Sequence, residues 1–183
     1  IFGRERVSID EAYPGDVIGM VGGEYFSIGD TISEDPAIVY DEIPSFPPEC
    51  FAYLYNPLPS NYKRFQKGLD QLIQEGLVHS FDVINSARRA PLLAAVGPLQ
   101  FDLVQYRLKA EYGSDSRLEM TPFKFVRWVG GDLPVNSKLH LPNGVEMAKD
   151  KREKTVMLFP GEWHINYFLD NNKDVVLSEY PAE

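Results

Sequence analysis

The sequence predicts an α+β protein made of two unequal parts. A short remnant of a β-barrel comes first, and a larger sandwich of one sheet and two helices, with extra C-terminal strands, follows it. Three observations lead to this prediction. The first part holds only short apolar runs between turn residues, a proline-rich segment then interrupts the chain, and strand-type and helix-type patterns alternate after it. The boundaries are 1–42, 43–49 and 50–183.

Residues 1–42 are predicted to be the end of a β-barrel. Short apolar runs at 7–9, 17–21 and 25–28 are separated by glycine- and proline-containing turns. Three strands can neither close a barrel nor bury two faces, so the beginning of the barrel is expected to lie upstream. Open strand edges invite pairing with another chain. We therefore expect residues 1–31 either to be disordered or to form an intermolecular sheet in a crystal.

Residues 43–49 are predicted to be the linker between the two parts. Pro44, Pro47 and Pro48 fall within five residues, and each biases the residue before it towards extended geometry. Such a segment acts as a semi-rigid connector. The domain boundary is placed here.

Residues 50–128 show the order strand, helix, strand, strand, helix, strand. The expected elements are a strand at 50–55, a helix from Ser60 or Asn61 to Glu75, strands at 77–84 and 92–96, a helix opened by Gly97 and Pro98 and ended by Gly113, and a long strand region at 117–128. This order is that of the split βαβ unit of ferredoxin-like domains.

Two glycines of the first helix carry separate expectations. Gly76 lies where a left-handed C-terminal cap is expected. Gly68 lies inside the helix, where glycine is about 1 kcal/mol less favourable than alanine, so a close packing contact is its expected reason.

The remaining residues are predicted to extend the sheet or to cover one of its edges. Further short strand patterns occur at 138–141, 156–159, 164–168 and 175–177, with turns at 142–144 and 160–161.

Composition and motifs exclude several classes of function. No apolar run approaches the roughly 20 residues that a membrane span needs, and Cys50 is the single cysteine, which favours a reducing, cytoplasmic compartment. Cys50 is better explained as a small core residue than as a nucleophile, because no signature places a histidine and an acid beside it. The three histidines match no zinc spacing. No Gly-x-x-x-x-Gly-Lys-Ser/Thr motif occurs, so we expect no catalytic residue, metal or nucleotide in this chain.

Basic clusters are the remaining candidates for a binding surface. The net charge is −9, but the acidic excess lies in residues 1–50, and residues 51–183 are close to neutral. Lys63, Arg64 and Lys67 lie on the outer face of the first helix, and Arg88 and Arg89 lie in a polar turn. These residues could contact the backbone phosphates of a nucleic acid, or they could simply keep the surface soluble.

The motifs in this order resemble the later half of class II bacterial release factors, the translational GTPases known as peptide chain release factor 3. The matching segments are EAYPGDVIG at 11–19, IGDT at 28–31, IPSFPPE at 43–49, KGL at 67–69, LQFD at 99–102, RLKAEY at 107–112 and RW at 127–128. The helix that contains LQFD is the most specific of them. The resemblance weakens after residue 130, and Cys50 stands where the family usually has leucine.

The resemblance implies a function that depends on a longer protein. It implies that residues 1–42 end the second, β-barrel domain of a translation factor and that the parent protein hydrolyses GTP with Mg²⁺ in an N-terminal domain absent here. This chain would dock on ribosomal RNA and protein, contact its own GTPase domain, and act on the class I release factor indirectly. Ile1 rather than methionine at the first position agrees with a piece of a longer protein.

Two alternatives stay open from the sequence. One is the equivalent region of another translational GTPase, of the elongation-factor type, which would share the Gly-Asp turn and the barrel. The other is a stand-alone enzyme that uses Cys50 or the carboxylates, for which the sequence offers no activity to test.

Overall fold

The computed structural model describes residues 8–20, 29–41, 46–131 and 139–180. Among them are eight strands: β1 Cys50–Tyr55, β2 His79–Val83, β3 Leu92–Ala95, β4 Arg117–Met120, β5 Phe125–Gly130, β6 Glu146–Lys149, β7 Thr155–Phe159 and β8 Val176–Ser178. The helices of the same residues are α1 Tyr62–Gln74, α2 Leu99–Tyr112 and α3 Glu162–Asn171, and a 3-10 turn at Pro59–Asn61 precedes α1. The α+β class is confirmed.

One antiparallel sheet contains all eight strands, in the order β4-β1-β3-β2-β6-β7-β5-β8. Its first four strands have the order and antiparallel pairing of a split βαβ unit, with β3 inserted between β1 and β2. β2 then joins the two halves, because His79 to Phe81 pair with β3 while Asp82 and Val83 pair with β6. The extra C-terminal strands therefore extend the sheet beyond the predicted unit.

Three apolar clusters show how the layers pack. Helices α1 and α2 cover one face of the first sheet half, where Ala52, Leu54, Leu93 and Ala95 meet Phe65, Leu69, Leu72, Phe101, Val104 and Leu108. The opposite face of that half packs against the second half through a buried aromatic cluster that includes Phe51, Tyr53, Phe81, Phe123 and Trp128. Helix α3 covers the outer face of the second half, where Phe168 packs on Phe159. The order of layers is helices, sheet half, sheet half, helix.

The long strand predicted at 117–128 is two strands that belong to different halves of the sheet. β4 pairs with β1, whereas β5 pairs with β7 and β8. Between them Thr121 donates to the carbonyl of Phe51 and Lys124 donates to the carbonyl of Phe159. Pro122 lies in this break and has no N–H to give to a ladder. Arg127 and Trp128 therefore lie outside the split βαβ unit to which the sequence pattern assigned them.

Two further expectations after residue 130 are wrong. Residues 164–168 lie in α3 rather than in a strand; Ile165, Phe168 and Leu169 repeat at helical spacing and turn towards the sheet. Residues 139–141 form no strand, since their backbone is held at His140 by the side chain of Asn172. Strand β6 was not predicted at all. The turn at 142–144 is confirmed by the 3.2 Å hydrogen bond from the Val145 N–H to the Pro142 carbonyl.

The described residues before the linker form turns but no strand. The turn at 13–16 is confirmed, with the Asp16 N–H 3.0 Å from the Tyr13 carbonyl oxygen and Gly15 at φ +101°. Residues 17–20 are exposed and unpaired, so the strand expected there is wrong for the described part. The strand at 25–28 and linker residues 43–45 lie outside the described residues. The barrel remnant and the three boundaries stay predictions.

Gly68 lies at the closest approach of α1 and α2, as its position inside a helix suggested. A Cβ on Gly68 would lie 2.7 Å from Cγ and Cδ2 of Tyr112 and 2.9 Å from Cδ2 of Leu108. The ring of Tyr112 is held in place because its hydroxyl donates to Oε1 of Gln71, 2.6 Å away. The expected cap is also present: Gly76 has φ +71°, and the N–H groups of Gly76 and Leu77 bond back into the last turn of α1.

Gly68→Ala is expected to lower the free energy of unfolding by about 1–2 kcal/mol, since overpacking outweighs the better helix propensity of alanine. Urea denaturation followed by circular dichroism measures this. Gly130→Ala is the matched control, because a Cβ there would meet Val176 at an ordinary 3.5 Å. Equal stability of the two variants would contradict the packing role of Gly68.

Arg107 makes a second link between α1 and α2. Its guanidinium forms a two-bond contact with Glu111 of the same helix, with N–O distances of 2.6 and 2.9 Å, and also binds Glu75 at the end of α1. The hydrogen bonds from Arg107 lower the pKa of the Glu111 carboxyl below its ordinary 4.5. A carboxyl with a lowered pKa in the folded state stabilises the fold above its unfolded pKa and loses that effect as the pH falls through the folded pKa.

The stability difference between the natural chain and Arg107→Gln is therefore expected to be constant above about pH 5.5 and to shrink as the pH falls below about 4.5. Urea denaturation at several pH values from about 5.5 down to about 3 tests this expectation. The control is Arg89→Gln, because the guanidinium of Arg89 forms no ion pair among the described residues. A difference that does not change with pH would contradict the ionic role of Glu111.

Candidate nucleic-acid interface

The first candidate surface is the beginning of α1. Lys63, Arg64 and Lys67 are all exposed, and none of them forms an ion pair within the described residues. Lys63 and Lys67 are four residues apart and so share one side of the helix. Arg64 reaches towards the end of α2, where its Nη1 lies 4.0 Å from the position that a Cβ on Gly113 would take. We call these three residues the α1 cations.

The local sequence explains why this surface is cationic. Phe65, Leu69 and Leu72 turn towards the sheet, which leaves the intervening charged positions in solvent. The acidic residues lie further along: Asp70 of α1 is contacted by Gln66 and Lys151, and Glu75, directly after α1, is bound by Arg107. The positive charge at the beginning of α1 is therefore not cancelled by its own helix.

Arg88 and Arg89, predicted together as a solvent-projecting pair, have different surroundings. Arg88 lies against the sheet: its Nη1 is 2.5 Å from Oε1 of Glu119 and 3.3 Å from the Tyr55 hydroxyl, and its guanidinium lies 4.7 Å from the centre of the Tyr53 ring. Its hydrogen bond lowers the pKa of Glu119 and raises the pKa of Arg88. Arg89 is exposed and has no ion pair in the part of the chain that the structure describes.

The structure does not bring the two predicted clusters together. The α1 cations lie on the helix side of the first sheet half. Arg88 lies over Tyr53, whose side chain belongs to the cluster on the opposite side of the same sheet. The five predicted residues therefore form two separate surfaces. Of these five, the α1 cations and Arg89 have no ion pair among the described residues and can contact a partner.

Residues 149–154 contain four further basic residues, and their charge is largely neutralised. Lys149 is 2.8 Å from Glu153, and Lys151 is 3.7 Å from Asp70. Asp150 organises the turn, because Oδ1 accepts from the N–H groups of Arg152 and Lys154 and Oδ2 accepts from Nε1 of Trp128 at 2.9 Å. The segment is therefore mainly a structural turn, and its cationic surface is weak.

A cavity of about 610 Å³ lies between the linker and the sheet. Its walls come from residues 46–48, the end of α1, the beginning of β2, the turn at 150–152, Trp128 and Tyr180. The lining mixes aromatic rings with charges of both signs and identifies no substrate class. Across the described ranges, no group of three or more His, Cys, Asp or Glu is placed to hold a metal ion, and no helix is long and apolar enough to cross a membrane. Cys50 packs at the border of the helix-side core.

Sequence spacing could not have found the partners of Arg88. Glu119 and Tyr55 are 31 and 33 residues away along the chain, and only the pairing of β1 with β4 brings them beside the turn. The exposed pair Trp163 and Tyr167 on α3 is a second group without a clear signal in the sequence. Its signal was hidden because residues 164–168 were assigned to a strand, and the i, i+4 spacing of the two rings has meaning only on a helix.

The described residues form an α+β domain with a cationic helix face at the beginning of α1 and an exposed aromatic pair on α3. Comparison with known proteins places it in a family. Residues 40–169 match the family model described as class II release factor RF3, C-terminal domain. The chain belongs to this family of peptide chain release factors.

Curated relatives agree with the family match. Peptide chain release factor 3 of Trichormus variabilis is 43% identical over 178 residues, which are 97% of this chain and 33% of the relative. The proteins of the same name from Acaryochloris marina and Synechococcus elongatus are 44% identical over 179 residues and 47% identical over 165 residues, covering 97% and 90% of this chain and 33% and 30% of the relatives. The chain thus spans about a third of the length of these relatives.

Arg88→Glu is expected to lower the midpoint of thermal unfolding, because it places a carboxylate beside Glu119 and removes the cation from the Tyr53 ring. Arg89→Glu is expected to leave the midpoint unchanged, since Arg89 has no such contacts. Differential scanning calorimetry of the two single variants compares them. Equal midpoints would show that Arg88 is as free as its neighbour, contrary to the geometry.

Proposed function

We propose that this chain is a ribosome-docking part of a translation-termination factor. The observation that carries the proposal is the cluster of α1 cations, which are exposed and unpaired within the described residues, in a chain that belongs to the class II release factor family. Each cation that neutralises a phosphate releases counterions from the nucleic acid, so a ribosomal RNA contact here would be strongly salt-dependent. Arg89 is a second, separate contact point on the other side of the sheet.

We propose for the whole parent protein the role that the family resemblance implies. It hydrolyses GTP, works in the cytoplasm of a bacterium, and promotes GTP-dependent release of class I release factors from the ribosome. Its GTP, GDP and Mg²⁺ are held by a domain outside these 183 residues, which contain no phosphate-binding loop motif. The match to the release factor model supports this role over the elongation-factor alternative.

The docking proposal is tested by salt-dependent pelleting with 70S ribosomes. Reversing the α1 cations to glutamate is expected to weaken binding by at least about tenfold and to reduce the slope of log K against log salt by about 2, because up to three phosphate contacts are lost. Arg89→Glu is expected to reduce the slope by less than about 1.

The matched control reverses three other exposed cations, Lys124, Arg152 and Lys173, which gives the same change in net charge. The control is expected to bind within about twofold of the natural chain, since distant charges are screened at physiological salt. Equal weakening of the two triple variants would show a general charge effect and would reject the α1 cations as the contact. Arg88 is left unchanged in both, because it supports the fold.

A further inference from the structure

The outer face of α3 exposes two large aromatic rings. The inner face of the helix packs on the sheet through Phe168, which is fully buried. On the outer face Trp163 is 64% exposed and Tyr167 is 43% exposed. Their rings stack on each other with centres 5.2 Å apart and planes at 30°. A pair this exposed contributes little to the core of the domain, and large exposed aromatic residues are typical anchors of binding surfaces.

The charge beside these rings has one sign. Glu162 precedes Trp163, and Asp170 lies three residues after Tyr167 on the same side of α3. Both carboxylates are exposed, and neither forms an ion pair within the ranges that the structure describes. Helix α3 contains no lysine or arginine. We call Glu162, Trp163, Tyr167 and Asp170 the α3 face.

This combination favours a cationic partner and disfavours nucleic acid. The face of an aromatic ring is electron-rich and attracts a guanidinium or an ammonium group, and the planar guanidinium also stacks on it. Two free carboxylates add complementary charge on either side of the rings. The same carboxylates repel phosphates, and nucleic-acid interfaces are strongly positively charged.

We propose that the α3 face binds an arginine-containing segment of a partner protein. The segment lays a guanidinium on the stacked rings and pairs a second cation with Glu162 or Asp170. This surface does not depend on the α1 cations, because α1 and α3 lie in the two outer layers of the molecule, with both sheet halves between them. The α1 cations would therefore bind phosphates on one side of the molecule, and the α3 face would bind a protein segment on the other. Both surfaces can be occupied at once.

Tryptophan fluorescence of the 183-residue chain tests the proposal directly. The chain has two tryptophans; Trp128 is 7% exposed with its N–H bonded to Asp150, so a surface ligand reports through Trp163. The probes are a peptide of arginines spaced by glycine and serine, and poly(U) RNA. The arginine peptide is expected to change the fluorescence in a saturable way, whereas poly(U) changes it by less than about a tenth as much at equal charge concentration.

Three variants locate the effect. Tyr167→Ala, which keeps the reporter, and the double variant Glu162→Gln with Asp170→Asn are each expected to weaken peptide binding by about fivefold. The control is Glu34→Gln with Asp35→Asn, which removes the same two charges from another exposed segment and is expected to change binding by less than about twofold. All replaced side chains are exposed, so unchanged circular dichroism spectra are expected.

Each other outcome overturns the proposal. Equal weakening by the control pair would mean that the peptide senses only the negative net charge of the chain. A saturable response to poly(U) that Tyr167→Ala abolishes would assign the face to single-stranded RNA. No saturable response to either probe would show that the rings do not bind a cationic segment.

Discussion

Burial of one aromatic cluster between the two halves of the sheet is the interaction on which the rest of the structure depends. Phe51 and Phe81 come from the first half and Trp128 from the second, and Phe123 enters from the connection between them. Burial of each such side chain stabilises the fold by on the order of 2 kcal/mol. Because one sheet supplies both walls of this cluster, β2 has to pair with β3 at its beginning and with β6 at its end. The helices then cover the two outer faces of the sheet. The position of each candidate binding surface is set by the face that its helix or strand covers.

The packing of the helices on these outer faces determines which charges remain available. Arg107, Arg88 and Lys149 each meet a carboxylate that the fold brings within 3 Å, and their charge is used inside the molecule. The beginning of α1 receives no such partner from α2, which presents Gly113 there instead of an acidic residue. The α3 face is the opposite case, because Glu162 and Asp170 form no ion pair among the residues that the structure describes. The internal ion pairs therefore leave the beginning of α1 positive and the α3 face negative, although the chain as a whole is acidic.

Local patterns predicted the first half of the domain well and the second half poorly. Strand β1, the glycine-capped ends of α1 and α2, and the tight packing at Gly68 are all local signals, and the split βαβ order follows from them. The second half depends on tertiary packing. Residues 164–168 contain β-branched and aromatic side chains that favour a strand in isolation, and burial of Phe168 on β7 makes them helical. The divided role of the cationic residues also had no local signal, because the partners of Arg88 come from distant strands.

The placement of β2 between the two halves has a consequence for synthesis of the chain. The split βαβ unit is complete once Met120 has been made, and its helix side can then fold as a local unit. Its aromatic side stays uncovered until β7 arrives at Phe159, roughly 40 residues later, which is about 2–8 s at ordinary rates of synthesis. During that interval the nascent chain presents Phe51 and Phe81 and an unpaired end of β2 to its surroundings. These apolar side chains and the end of β2 become covered only when the last third of the domain has left the ribosome and the sheet is complete.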